Sequence, residues 1–136
     1  MEKTLVLIKP DGVERGLVGQ IISVYERKCL RICEMKLIQA DEALASKHYE
    51  EHRDKPFFKE LVDYLTEGKV VAMIIEGENA ISIIRKENGD KDPLKASSGT
   101  IRGMYANNRT RNLVHASDSL EAAKREMALW FPEKIK

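Results

Sequence analysis

The chain opens on an uninterrupted apolar run, Thr4-Leu-Val-Leu-Ile8. Such a run, without polar alternation, predicts a strand buried on both faces and therefore central in a sheet. Lys9-Pro10-Asp11-Gly12 ends it with turn chemistry. Leu17, Val18, Ile21, Ile22, Val24 and Tyr25 then recur at helical spacing and predict a helix over 17–28. Residues 30–40 read as a second strand. Its alternation is imperfect, which points to a bulge or to burial on both sides. Asp41 is placed to cap a helix that runs to about Glu51 and is broken by Lys55-Pro56. Pro56 suits the first turn of the next helix, 57–67, which Gly68 closes. Residues 70–76 form a third, almost wholly apolar strand, and Asn79 stands as the cap of a short helix over 80–86.

From Glu87 to about Arg111 the periodicity dissolves into Gly, Asn, Ser, Asp, Lys and Arg. A loop of that length in a small domain is usually functional or disordered. A short strand over 112–115 follows, then Ser117-Asp118-Ser119, with Asp118 and Glu121 at capping-box spacing. The final helix runs to about Trp130, with Leu120, Ala123, Met127 and Trp130 on one stripe. The order reduces to β-α-β-β-α-β. That is an α+β, ferredoxin-like core: an antiparallel sheet with helices on one face, supplemented by a helical hairpin and the long loop. One domain over 1–136 is expected.

Composition narrows the classes. At 43% hydrophobic residues the chain can bury a core, and no apolar run approaches a membrane span. No basic segment followed by a longer apolar stretch opens the chain, so a cytoplasmic protein is expected. Lys+Arg 23 and Asp+Glu 22 leave a net charge of +1, which argues against a whole-molecule field for nucleic acid. Cys29 and Cys33 are too few for a disulfide framework and lack metal-type spacing.

Neither a P-loop nor a GxGxxG fingerprint is present. Any phosphate must therefore be held by side chains, and the long loop with its flanks offers Arg85, Lys86, Lys91, Lys95, Arg102, Arg109 and Arg111. A solvated basic loop accounts for the same residues. His48 and His52 share a helical face without an evident further ligand nearby. His115 ends a short strand just before a capped helix N-terminus, where anions are favoured. It reads either as a nucleophile for a phosphoryl group or as an imidazole satisfied by the Ser-Asp-Ser cap. Phe57 reads as a core aromatic or as a stacking platform for a base. A sheet that stacks RNA bases is disfavoured, because the expected strands carry almost no aromatics.

Asn112-Leu-Val-His115-Ala-Ser117-Asp118-Ser119 resembles the active-site signature of the nucleoside diphosphate kinase family. Ile8-Lys9-Pro10-Asp11-Gly12-Val13, Arg15-Gly16-Leu17-Val18-Gly19, His48-Tyr49, Lys55-Pro56-Phe57-Phe58, Val71-Ala72-Met73, Gly99-Thr100-Ile101-Arg102-Gly103 and Leu129-Trp130-Phe131 extend the similarity over essentially the whole chain. The resemblance implies transfer of a γ-phosphoryl group from a nucleoside triphosphate, mainly ATP, to a nucleoside diphosphate by a ping-pong route through a phosphohistidine. In that reading His115 is the nucleophile and Glu126 orients its ring. Arg85 and Arg102 clamp the phosphates. Lys9 reaches the ribose 3′-hydroxyl and the transferred group, helped by Asn112. Tyr49 lies near the γ-phosphate, and Phe57 stacks on the base. Mg2+ arrives with the nucleotide, Asp118 near its water shell, and no dedicated protein metal cage is expected. The resemblance further implies a homo-oligomer, tetramer or hexamer. Three positions depart from the family pattern: Lys91 replaces a threonine, Met104 an aspartate, and Arg109 a small apolar residue. Lys91 remains in the expected nucleotide-binding set.

Overall fold

A computed structural model describes residues 1–134. The opening run forms β1 (Glu2–Ile8), which lies between β3 (Lys69–Gly77) and β4 (Val114–Ala116). With β2 (Arg31–Gln39) on the outer side of β3, the order is β2-β3-β1-β4, and every pairing is antiparallel. Both central strands read as continuous apolar runs because both of their faces are covered. Leu5, Leu7, Val70, Ala72 and Ile74 point to one core, and Val6, Ile8, Val71, Met73 and Ile75 to the other.

The two ferredoxin-like core helices, α2 (Val18–Arg27) and α5 (Ala80–Asn88), pack on the second of these faces, as the topology predicts. The opposite face is covered as well. It holds the hairpin of α3 (Glu42–His48) and α4 (Phe58–Thr66), together with α7 (Leu120–Trp130). Glu126 lies in the inward stripe of α7, Ala123-Glu126-Met127-Trp130, so a carboxylate is delivered into an otherwise apolar face.

Several local expectations are corrected. The turn after β1 is a short helix, α1 (Pro10–Glu14), with proline in its first turn. The irregularity expected in β2 is borne out, as a register shift between Ile32 and Glu34. The helix expected from Asp41 to Glu51 does begin on the Asp41 side chain, which accepts from Leu44 N, but it ends at His48 and gives way to a 3-10 turn over 50–52. Asn79 lends no side-chain cap; it precedes α5 in a left-handed conformation. The long loop contains α6 (Ile101–Tyr105), capped by Thr100. Ser119, rather than Asp118, caps α7, accepting from Ala122 N.

Gly103 in α6 has a requirement of its own. A Cβ there would collide with the Ser97 carbonyl oxygen, so the loop backbone folds against α6 only because this residue is glycine. At the other margin of the sheet, β2 is an edge strand. Its Met35 and Leu37 side chains are each 56% exposed.

Candidate active site

The C-terminal end of β1 and both ends of β4 converge on a cavity of about 890 Å³, which Lys9, Tyr49, Phe57, Arg85, Lys91, Arg102, Asn112, His115 and Glu126 all help to line. Lys86, Lys95 and Arg109 line it too, whereas Arg111 is not among its lining residues and forks onto the Glu67 carboxylate instead.

His115 stands opposite Leu7 in the β1–β4 ladder and so points to the face covered by α7. Its Nε2 lies 2.8 Å from Glu126 Oε1. Ser117, two residues on and on the same side of the strand, donates to that same oxygen at 2.8 Å. Burial pushes the Glu126 carboxyl up. The hydrogen bond and charge of His115, the Ser117 hydroxyl and the Arg125 charge outweigh it and hold the group below its ordinary range. A carboxylate only accepts, so Nε2 carries a ring proton, and in the neutral ring it is Nδ1 that holds the lone pair. Nδ1 hydrogen-bonds nothing among the described residues.

The cations are organised by the loop. Lys9 follows the last residue of β1, and its backbone N–H donates to Leu113 O at 2.8 Å. Its Nζ donates to Asn112 Oδ1 at 3.0 Å. Burial pushes the Lys9 ammonium down to about 7; Arg102 and Lys91 add to that, while Asp11 opposes it. Asn112 also donates to Lys91 O and Arg109 O, so one amide ties Lys9 to both halves of the loop. Arg102 is buried, and its guanidinium donates to the carbonyls of Gly89, Asn112 and Val114. It thus straps the loop's two ends together while leaving two of its N–H groups for a ligand. Arg85 and Lys91 line the cavity with exposed side chains. Phe57, 43% exposed, sits at the mouth beside His52, at 5.5 Å between ring centroids.

Two polar groups escape the sequence reading: Ser117, buried behind Glu126, and His48, which lines the cavity. Ser117 was legible in principle, because on a strand it shares a face with His115. Sequence spacing pairs His48 with His52 on one helical face, and the break after His48 dissolves that pairing. His48 turns inward instead, to Trp130 and His115.

The family model described as nucleoside diphosphate kinase matches residues 2–135. The chain belongs to the nucleoside diphosphate kinase family. It is 53% identical over 135 residues to a nucleoside diphosphate kinase of Caldanaerobacter subterraneus, covering 99% of this chain and 97% of that protein. It is 53% identical to another from Ignicoccus hospitalis, covering 96% and 89%. Among solved structures, the apo nucleoside diphosphate kinase of Encephalitozoon cuniculi superposes with TM-score 0.96 at 38% identity, covering 100% of this chain and 92% of the other. The Halobacterium salinarum nucleoside diphosphate kinase, solved in complex with CDP, gives 0.95 at 46% identity, covering 98% and 90%. As a nucleoside diphosphate kinase the chain is a nucleotide-binding phosphotransferase.

Proposed function

We propose that this nucleoside diphosphate kinase moves the γ-phosphoryl group of a nucleoside triphosphate, mainly ATP, to a nucleoside diphosphate by a ping-pong route through phosphorylated His115. The observation that carries the reading is the 2.8 Å contact of His115 Nε2 with Glu126 Oε1, which leaves Nδ1 as the nucleophilic nitrogen in a cavity of cations.

The chemistry balances on these residues. The Nδ1 lone pair forms an N–P bond as the bond between the γ-phosphorus and its bridging oxygen breaks. The electron pair leaves with the diphosphate. The ring keeps its Nε2 proton and becomes cationic, and Glu126 faces that charge. Charge in the transition state spreads over the phosphoryl oxygens, so positioning and neutralisation supply most of the catalysis. Lys9, Arg85, Arg102 and Lys91 neutralise the phosphates. Lys9, with Asn112, reaches the ribose 3′-hydroxyl, and Tyr49 lies near the transferred group. Phe57 stacks on the base, and stacking accepts any base because each has a π-face. The second half-reaction reverses the first on a different diphosphate and so maintains nucleoside and deoxynucleoside triphosphate pools.

Mg2+ enters with the nucleotide in this reading. It takes oxygen ligands and keeps several waters. The exposed Asp118 carboxylate on the cavity wall fits that donor chemistry; it would contact the ion's water shell, and the ion would neutralise charge on the phosphates. Edge strand β2, with Met35 and Leu37 outward, supports assembly as a homo-oligomer, tetramer or hexamer. No helix among the described residues is long and apolar enough to cross a membrane. The reading places the enzyme in the cytoplasm.

Initial-velocity kinetics test the route. Varying ATP at several fixed diphosphate concentrations gives parallel double-reciprocal lines if the phosphoenzyme is obligatory. Intersecting lines would mean direct transfer in a ternary complex.

A further inference from the structure

Two consecutive side chains of the cavity that His115 lines carry polar atoms that the fold leaves without partners. His48 is 3% exposed and Tyr49 is 7% exposed. His48 Nε2 and the Tyr49 hydroxyl are both buried and unpaired, and both residues line the cavity. Buried donors are nearly always satisfied, so a pair of orphans at one spot marks groups whose acceptor arrives later.

The protonation of His48 follows from its other nitrogen. Trp130 Nε1 lies 3.0 Å from His48 Nδ1. An indole N–H can only donate, so Nδ1 must supply the lone pair and Nε2 must carry the hydrogen. Burial, followed by the neighbouring His115, Lys9, Arg125 and His52, holds the ring well below its ordinary value, so it stays neutral. His48 therefore presents a fixed, uncharged N–H. Ring nitrogens of His48 and His115 and an oxygen of Glu126 also lie within 4.8 Å of one another, in a metal-like cluster. The Trp130 contact leaves His48 Nε2 a proton where a metal needs a lone pair. The ring of His48 meets that of His115 edge to face, with centroids 4.4 Å apart. It is thus adjacent to whatever His115 carries.

We propose that His48 is a second hydrogen-bond donor to the phosphoryl group once that group sits on His115, acting beside Tyr49 and locked as a donor by Trp130. The inference rests on the reading of His115 as the phosphoryl carrier. Phosphoryl transfer to Nδ1 places oxygens bearing net negative charge next to two donors that were unpaired in the resting enzyme. Relative to the nucleotide-free resting enzyme, both gain a charge-assisted bond in the phosphorylated state. His48 then stabilises the intermediate relative to the free enzyme, which is an effect on the internal equilibrium rather than on nucleotide binding.

The test measures the ratio of ATP to ADP at which half of the enzyme is phosphorylated, in wild type, His48→Phe and His48→Gln. Phenylalanine keeps an aromatic edge against His115 but loses the donor. Glutamine keeps an acceptor for Trp130 and a donor for the phosphoryl group. We expect His48→Phe to need a ratio about tenfold higher, the effect of one such hydrogen bond. We expect His48→Gln to stay within about threefold of wild type. A His48→Phe ratio equal to that of wild type would overturn the proposal. Heteronuclear NMR of the imidazole nitrogens gives a second readout on the unaltered protein, independent of whether either variant folds. Phosphorylation should shift the His48 Nε2–H resonance downfield, and an unmoved resonance contradicts the role. Wild type that forms no phosphoenzyme would instead remove the His115 reading, and this inference with it.

Discussion

Glu126 Oε1 lies 2.8 Å from Nε2 of His115, and this contact determines which imidazole nitrogen is free to react. An amide in place of the carboxylate can donate to Nε2 and so favour the tautomer with the proton on Nδ1, where no lone pair remains for attack. Glu126→Gln should slow phosphoenzyme formation by about 100-fold, the upper end for a ring-orienting partner. Rapid-quench measurement of the first half-reaction checks this, and a rate within twofold of wild type contradicts it.

Ser117 acts on the same oxygen from the strand side. Glu126 is held below its ordinary carboxylate range, so its contribution to stability is present above the unfolded value and is lost as pH falls through the lower folded one. Ser117→Ala removes one of the hydrogen bonds that depress it. The acid limb of kcat/KM should move to higher pH, and stability at neutral pH should fall by about 1 kcal/mol. Superimposable acid limbs would contradict the assignment.

Lys9 is depressed as well, but here the shift disfavours the charged form, whereas in Glu126 it favours it. The Lys9 ammonium is pushed down to about 7 by burial, with Arg102 and Lys91 adding to the effect. Between about 7 and the ordinary lysine value the unfolded chain binds the additional proton, so the nucleotide-free enzyme gains stability from Lys9 as pH rises through that window. Bound phosphate reverses the balance and favours the charged form. Nucleotide binding at pH about 8 should therefore take up close to one proton, since most of Lys9 is neutral there before binding. Calorimetry in buffers of different ionisation enthalpy measures the uptake. Lys91→Thr should lower it, because a neighbouring cation that depresses Lys9 is gone. Equal uptake in both proteins contradicts the coupling.

Arg102 joins Gly89, Asn112 and Val114 through their carbonyls. Arg102→Lys cannot span all three, because one ammonium replaces a planar fork. A loss of about 2 kcal/mol is expected, together with faster hydrogen exchange over 89–112. Exchange that stays at the wild-type rate would show that the strap is dispensable.

Gly103→Ala tests the loop from the other side. The added Cβ meets the Ser97 backbone, so α6 or the 97–98 segment must shift. KM for nucleotides should rise about tenfold, with the Glu126–His115 pair and phosphoenzyme chemistry intact. An unchanged KM would mean that the loop absorbs the methyl group.

The periodicities that local physics controls were legible in the sequence. β1 and β3 show as continuous apolar runs because both faces are buried, and α2 and α4 show as stripes because only one face is. The α1 and α6 helices are five residues each, too short for a stripe to register. Lys9, Arg102, Asn112 and His115 were singled out by type and motif, and the structure places them around one cavity. The contacts that organise them were not legible. Arg102 reads as a ligand for phosphate, while its bonds to backbone carbonyls depend on where a loop closes. His48 reads as half of a helical pair until the helix ends beneath it, and its partner Trp130 lies 82 residues away. Glu126 offered a subtler cue, a lone charge in an apolar stripe, which marks a group the core must satisfy by hydrogen bonding.

The most direct test of the account follows a radiolabel on the γ-phosphate of ATP. Purified enzyme is incubated with labelled ATP and Mg2+, freed of nucleotide, and chased with GDP. The account predicts an acid-labile, alkali-stable label on wild-type protein that moves quantitatively to GDP, and none on a folded His115→Ala variant. A folded His115→Ala protein that still carried the label, or wild type that bound ATP without acquiring it, would contradict the phosphohistidine route.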